Sequence, residues 1–129
     1  MGDRISISFR NGTDESVALF SHWGGKSFLK TAISYAKILK EEVGQERVRP
    51  LHRLEPGTVM VDFIKQLTSS HDHNRVYGNL YLCVNREGGD NSDNGHYVIN
   101  LDSELDIVTV LAINFNGENV LVYNGSGDG

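Results

Sequence analysis

The chain has 129 residues, a length that predicts one domain around one hydrophobic core. Its 17 acidic residues exceed its 12 lysines and arginines, and the net charge of −5 argues against nucleic-acid binding, which needs a basic surface to neutralise phosphates. No apolar run approaches the roughly 18 residues that span a bilayer, and the single Cys83 cannot form an internal disulfide, so we expect an acidic, soluble, cytoplasmic protein with no membrane contact.

The first predicted elements are two strands. Ile5, Ile7 and Phe9 alternate with polar residues, which is the two-residue period of a strand with one buried face. Turn-forming residues occupy positions 11–14, and the run from Val17 to Phe20 predicts a second strand. We therefore expect a β-hairpin over residues 4–22.

Two helices are predicted next. From Ser27 onward the apolar residues recur at helical spacing with lysines on the opposite face, so Ser27 is the expected N-cap and Gly44 the expected end. Pro56 suits the first turn of a second helix, which should end near Thr68. The run Val59 to Val61 within it also fits a strand, and this alternative stays open.

The remaining elements are predicted to be strands. Apolar residues alternate over positions 80–84 and 97–101, and Ile107 to Phe115 is a long run rich in β-branched residues. The Asn116-Gly117 pair is typical of a two-residue hairpin turn, and it leads into a last strand from Val120 to Tyr123.

The order ββααββββ predicts an α+β fold in which two helices pack on one face of a mainly antiparallel sheet of about six strands. We expect a single domain over residues 1–124 and a flexible tail over residues 125–129, because the tail contains mostly glycine and small polar residues.

The first candidate site joins the second strand to the first helix and consists of Ser21, His22, Trp23, Gly24, Gly25, Lys26 and Ser27. Unpaired amides at a helix start carry a partial positive charge, and glycine allows a ligand to approach them, so we expect a small anionic ligand here with Lys26 as its counter-charge. The GxxxxGK[S/T] phosphate loop is matched only at its end, because Phe20 replaces its first glycine. Alternatively, the glycines only ease a tight turn and Trp23 fills the core.

The second candidate site is the acidic loop from Gly88 to Gly95. Asp90, Ser92 and Asn94 alternate as oxygen ligands do in the first half of a calcium loop, so they predict a divalent metal site. Leu101 stands where the closing glutamate of that loop belongs. A plain hairpin loop is the alternative, because the same residue types dominate turns.

Histidine supplies the third candidate. His71 and His73 would share one side of an extended segment, but their spacing matches no standard zinc site. A metal-dependent hydrolase would instead combine His22 or His96 with carboxylates from Asp90, Asp93 or Asp102.

Three functions therefore remain open, and no motif is long enough to indicate a family or a cofactor. The favoured one is a small noncatalytic module that binds a ligand or partner, with an anion site at the first helix. The alternative is the metal-dependent hydrolase, so enzymatic activity stays undecided. The third is an interaction or assembly protein in which the run Ile107 to Phe115 forms an exposed strand edge that pairs with a second copy of the chain or with another partner.

Overall fold

The structure is a computed structural model that describes residues 3–44, 54–68, 80–101, 108–113 and 119–123. These residues form two helices and seven strands: β1 (Ile5–Asn11), β2 (Asp14–Glu15), β3 (Ala18–Ser21), α1 (Gly25–Gly44), α2 (Pro56–Thr68), β4 (Tyr81–Cys83), β5 (His96–Asn100), β6 (Thr109–Ile113) and β7 (Asn119–Tyr123). The predicted α+β class is confirmed, and so is the predicted order, apart from the two-residue strand β2.

The strands form one sheet in the order β4-β3-β1-β5-β6-β7, and β2 pairs with β1. Among the described strands the central pair, β1 and β5, is parallel, and the other pairs are antiparallel, as the sequence predicts. In the parallel pair Ser6 lies opposite His96 and Ser8 lies opposite Val98. Parallel neighbours need a long crossover connection, and here α1, α2 and β4 lie within it.

The predicted hairpin is confirmed, with Ile5 opposite Ser21 and Ile7 opposite Leu19. Gly12 has a φ of +67° in the turn between β1 and β2, a conformation that favours glycine.

Helix α1 begins two residues before the predicted N-cap, Ser27. The Phe28 amide donates to the Gly24 carbonyl (3.2 Å), which makes Gly24 the residue at the helix boundary. The predicted end at Gly44 and the predicted span of α2 are both confirmed. Val59 to Val61 are helical, so the alternative strand there is wrong.

Both helices pack on one face of the sheet, which we call the helix-covered face. Its centre is Phe9, whose ring makes edge-to-face contacts with Tyr35 (6.0 Å between centroids) and Phe63 (5.6 Å). The strand side chains on this face are those that alternate through β1 and β5: Ile5, Ile7, Phe9, Tyr97 and Ile99.

The opposite face of the sheet is also buried, and this differs from the half-buried strand predicted for β1. Ser6 and Ser8, which were expected to face solvent, are fully buried there with Phe20 and His96. The segment between β4 and β5, residues 84–95, lies over this loop-covered face and is called the covering loop. Its Gly89 is packed so closely on the stacked rings of Phe20 and Tyr81 that a Cβ would lie 2.8 Å from Phe20.

The predicted strand edge is wrong for the described part of Ile107 to Phe115. Strand β6 lies between β5 and β7, so its main-chain groups are paired on both sides. The edges of the described sheet are β4 and β7. Neither helix in the described ranges is both long and apolar enough to cross a membrane.

Several sequence predictions lie outside the described residues. They concern His71 and His73, Asp102, the Asn116-Gly117 turn and the tail over residues 125–129.

Candidate functional site

The two segments that the sequence singled out meet at one end of the sheet, where Asp3 and Arg4 connect them. The Asp3 amide donates to the His22 carbonyl (3.0 Å), and the Gly25 amide donates to the Asp3 carbonyl (2.9 Å). On the other side, the Asn94 amide donates to the Arg4 carbonyl (2.9 Å). The start of α1 and the covering loop are therefore parts of one region.

In the predicted anion site, the amides of Gly24 and Gly25 at the start of α1 both donate to groups of the protein itself. Ser21 Oγ accepts from the Gly24 amide (2.8 Å), and both Gly24 and Gly25 are buried. Gly25 has a φ of +56°, and a Cβ on it would overlap the carboxylate of Asp3. Asp3 thus supplies a carboxylate at the helix start, where negative charge is favourable. An external anion would have to compete with Asp3, and its binding here stays a prediction.

The other residues of the Ser21 to Ser27 segment point in several directions. Trp23 is 46% exposed and contacts the His22 ring (4.4 Å between centroids), so the alternative in which Trp23 fills the core is wrong. Lys26 Nζ donates to the hydroxyl of Tyr97 (2.7 Å) and lies 5.0 Å from the centre of its ring. Ser27 is exposed.

The predicted metal ligands make hydrogen bonds within the region. Asp90 Oδ1 accepts from the amide (3.0 Å) and hydroxyl (2.7 Å) of Ser92, and Arg4 Nε lies 3.2 Å from Asp90 Oδ2. The bonds from Ser92, together with the charge of Arg4, lower the pKa of Asp90. Asn94 Nδ2 donates to Asp3 Oδ1 (2.7 Å). A cation at Asp90, Ser92 and Asn94 would have to displace Arg4, and the site stays a prediction.

A chain of five polar side chains crosses the loop-covered face, and we call it the buried polar chain. Asn91 Nδ2 donates to Ser6 Oγ (2.8 Å), and Ser6 Oγ lies 2.7 Å from His96 Nδ1. On the other side of the ring, His96 Nε2 lies 3.1 Å from Ser8 Oγ, which donates to Glu15 Oε2 (2.7 Å). His96 is only 3% exposed.

The bonding of this chain and the burial of His96 together assign its protons. Ser8 gives its only hydroxyl proton to Glu15, so it accepts the proton of His96 Nε2. In the neutral imidazole, Nδ1 then accepts from Ser6. Burial lowers the pKa of His96 to about 4, the charges of Arg86 and Arg10 act in the same direction, and Glu15 opposes them.

His96 consequently has no free ring nitrogen, and this weighs against its use in a metal-dependent hydrolase. A metal ligand or general base needs a nitrogen lone pair, but Ser6 occupies the lone pair of Nδ1 and Nε2 carries the proton. Within the described part of the chain, no three His, Cys, Asp or Glu side chains are grouped so as to hold a metal ion.

A cavity of about 600 Å³ lies between the covering loop and the sheet. His96 and Ile113, which are opposite each other on β5 and β6, line it from the sheet. The described lining from the covering loop consists of Arg86, Glu87, Gly89, Asn91, Ser92, Asp93, Asn94 and Gly95. The cavity is therefore built from the second predicted segment together with His96, and no residue of the Ser21 to Ser27 segment is among this described lining.

Sequence reasoning found the loop that lines the cavity but missed both Arg86 and the members of the buried polar chain around His96. Ser6 and Ser8 resemble the solvent-facing residues of any half-buried strand, and Glu15 and Arg86 carry no motif. Only the parallel pairing of β1 with β5 brings the two serines beside His96. That pairing joins residues 90 positions apart in sequence, and a local pattern does not reveal it.

No protein-family model, curated protein or solved structure is significantly similar to this chain. Inference about its function therefore rests on the geometry of the site.

Proposed function

We propose that the protein is a small, soluble, noncatalytic binding module whose ligand is a small polar molecule held in the cavity beneath the covering loop. The main observation in support is a cavity of about 600 Å³ whose polar wall is held in place, before any ligand binds, by hydrogen bonds to the rest of the protein. Pockets of this size suit small molecules. A wall that is ordered before binding lowers the entropic cost of ligand capture.

Three wall residues illustrate this order. Asn91 Nδ2 donates to Ser6 Oγ and to the Arg86 carbonyl (3.2 Å). Asp93 Oδ2 accepts from the Arg4 amide (2.9 Å), and the Asn94 side chain donates to the Arg4 carbonyl (3.0 Å). The bond to the Arg86 carbonyl stays within the covering loop, and the other three link the loop to β1 or to the residue just before it, so the shape of the cavity depends on the central strand.

A noncatalytic role fits the state of the nucleophiles and bases nearby. The hydroxyls of Ser6 and Ser8 are fully buried and bonded, and His96 is neutral with both nitrogens engaged. These groups stabilise the floor of the cavity, and their hydrogen bonds leave no hydroxyl proton or ring nitrogen available to react with a substrate. The lone Cys83 favours a reducing compartment, so we propose a cytoplasmic location.

The proposal is tested by amide chemical shifts of ¹⁵N-labelled protein during titration with a panel of small polar molecules at millimolar concentration. We expect the shifts to cluster at residues 86–96 and at Ile113. In Ile113→Trp the larger indole projects into the cavity beside His96 and should weaken them. Leu111→Trp is the matched control, because Leu111 lies on the same face of β6 but not in the described cavity lining.

Two results would overturn this function. One is a panel in which no molecule shifts the cavity amides. The other is a response confined to Lys26 and Ser27, which would favour the helix start as the ligand site.

A further inference from the structure

We infer that the ligand of this cavity carries a carboxylate or phosphate group, and that Arg86 binds it. The inference rests on the proposed function, since it names the chemical class of the molecule in the same cavity.

The hydrogen-bonding groups of the other wall residues are largely committed. His96 is bonded through both nitrogens, and both amide protons of Asn91 have acceptors. The Ser92 hydroxyl donates to Asp90 (2.7 Å). The Asn94 side chain donates to Asp3 and to the main chain of Arg4.

Arg86 differs from these residues. Among the described residues, its guanidinium pairs with the neighbouring Glu87 at 3.8 Å, and both side chains are more than a third exposed. Such an exposed pair is weak, so a ligand oxyanion can replace it at little cost. The five N–H groups of arginine form a planar fork that matches two oxygens of a carboxylate or phosphate.

The main chain of Arg86 is held in place even though its side chain is available. Its carbonyl accepts from Asn91 Nδ2, and Asn91 is the first member of the buried polar chain. The guanidinium therefore projects from an anchored position on the cavity wall, which lowers the entropy lost when it binds an anion.

Arg86 is the only lysine or arginine in the described cavity lining, so the attraction for an anion is concentrated there. Glu87, Asp90 and Asp93 would repel an anion, and Arg4, which lies 3.4 Å from Asp93 Oδ2 and 3.2 Å from Asp90 Oδ2, offsets part of that repulsion. The positive charge of Arg86 reaches the cavity floor, where it helps to lower the pKa of His96. Ile113 supplies an apolar contact for the body of the ligand.

The test compares butyrate with butyramide, which has nearly the same shape and no charge, and adds phenyl phosphate as the phosphate probe. Each is titrated into ¹⁵N-labelled wild type, Arg86→Gln and Lys30→Gln. Lys30 is an exposed residue of α1, so Lys30→Gln removes one positive charge elsewhere on the molecule. Arg86→Lys keeps the charge but loses the fork.

We expect at least one of the two anions to shift the amides of residues 86–96 in wild type and in Lys30→Gln, and to bind at least tenfold more weakly to Arg86→Gln. The affinity of Arg86→Lys for the anion should lie between those of wild type and Arg86→Gln. The loss of affinity in Arg86→Gln, measured separately for butyrate and for phenyl phosphate, shows which oxyanion depends more on Arg86. Butyramide should bind at least tenfold more weakly than butyrate if the carboxylate is the preferred group.

Failure of the inference and failure of the proposed function give different results. Binding of butyramide as tight as that of both anions, or equal binding of the anions to Arg86→Gln and wild type, would refute the role of Arg86 and leave the cavity as a binding site. If no charged or neutral probe shifts the cavity amides, both proposals are rejected.

Discussion

The two faces of the sheet are buried by different kinds of interaction. On the helix-covered face, apolar side chains of β1 and β5 pack against two amphipathic helices, with Phe9 in contact with Tyr35 and Phe63. On the loop-covered face, a polar, glycine-rich loop lies over the sheet, and hydrogen bonds through Ser6 and His96 accompany the apolar contacts of Phe20.

This contrast shows where specificity comes from in so small a protein. On the helix-covered face, one apolar side chain can replace another with little demand on orientation, because the hydrophobic effect is non-directional. The buried polar chain demands particular donors and acceptors at particular distances, since an unpaired buried group costs roughly 1–3 kcal/mol. We therefore expect the first face to dominate stability and the second to determine the shape of the cavity.

The largest expected effect is the loss of packing in Phe9→Ala. Phe9 is fully buried, and its ring contacts two other rings, so its removal leaves a cavity in the core. We expect the free energy of unfolding to fall by about 3–5 kcal/mol, measured by urea denaturation. Val61→Ala on the exposed side of α2 is the control and should change it by less than about 0.5 kcal/mol. Comparable losses in the two variants would contradict the assigned core.

On the loop-covered face, Gly89→Ala tests the close contact of the covering loop. The new methyl group would overlap the stacked rings of Phe20 and Tyr81, and we expect a cost of about 1–3 kcal/mol. Gly57→Ala is the matched control, because nothing lies within 4 Å of a Cβ at that position. It should be neutral or slightly stabilising in a helix. Wild-type stability of Gly89→Ala would mean that the loop does not pack on Phe20.

The pH dependence of stability tests the neutral state of His96. Its folded pKa of about 4 lies below the ordinary value of 6.5, so the unfolded chain takes up the proton first as pH falls. The free energy of unfolding should therefore decline below pH 6.5, by about 2 kcal/mol at pH 5, and this contribution should level off below pH 4. In His96→Gln the decline between pH 6.5 and 5 should disappear. Parallel curves for the two proteins would show that His96 is not held neutral.

The smallest expected effect is that of Asn91→Ala, which disconnects the covering loop from the buried polar chain. Loss of its bonds to Ser6 and Arg86 should lower the free energy of unfolding by about 1 kcal/mol and speed amide exchange in residues 84–95. Asn85→Ala makes the same change in the same loop, but the described contacts of Asn85 stay within the loop. Equal acceleration in both variants would argue against anchoring through Asn91.

Most of the helix-covered face could be predicted from the sequence, whereas the contacts on the loop-covered face could not. The helix-covered face could be predicted because the alternation of Ile5, Ile7 and Phe9 and the helical spacing in α1 and α2 are local signals of burial. The covering loop was recognised as a candidate site from its Asp, Asn and Gly content, but its partners were not. The role of Trp23 was not predictable either, because an aromatic residue in a turn carries no periodic signal.

The sequence by itself determined the class of fold, the order of the elements and the apolar face of each helix, because these follow from contacts between residues close along the chain. Only the tertiary structure decided that β1 pairs in parallel with β5 and that Asp3 and Arg4 join the start of α1 to the covering loop. Both decisions depend on groups about 20 to 90 positions apart in sequence, and the periodicity of a short segment carries no signal of such distant partners.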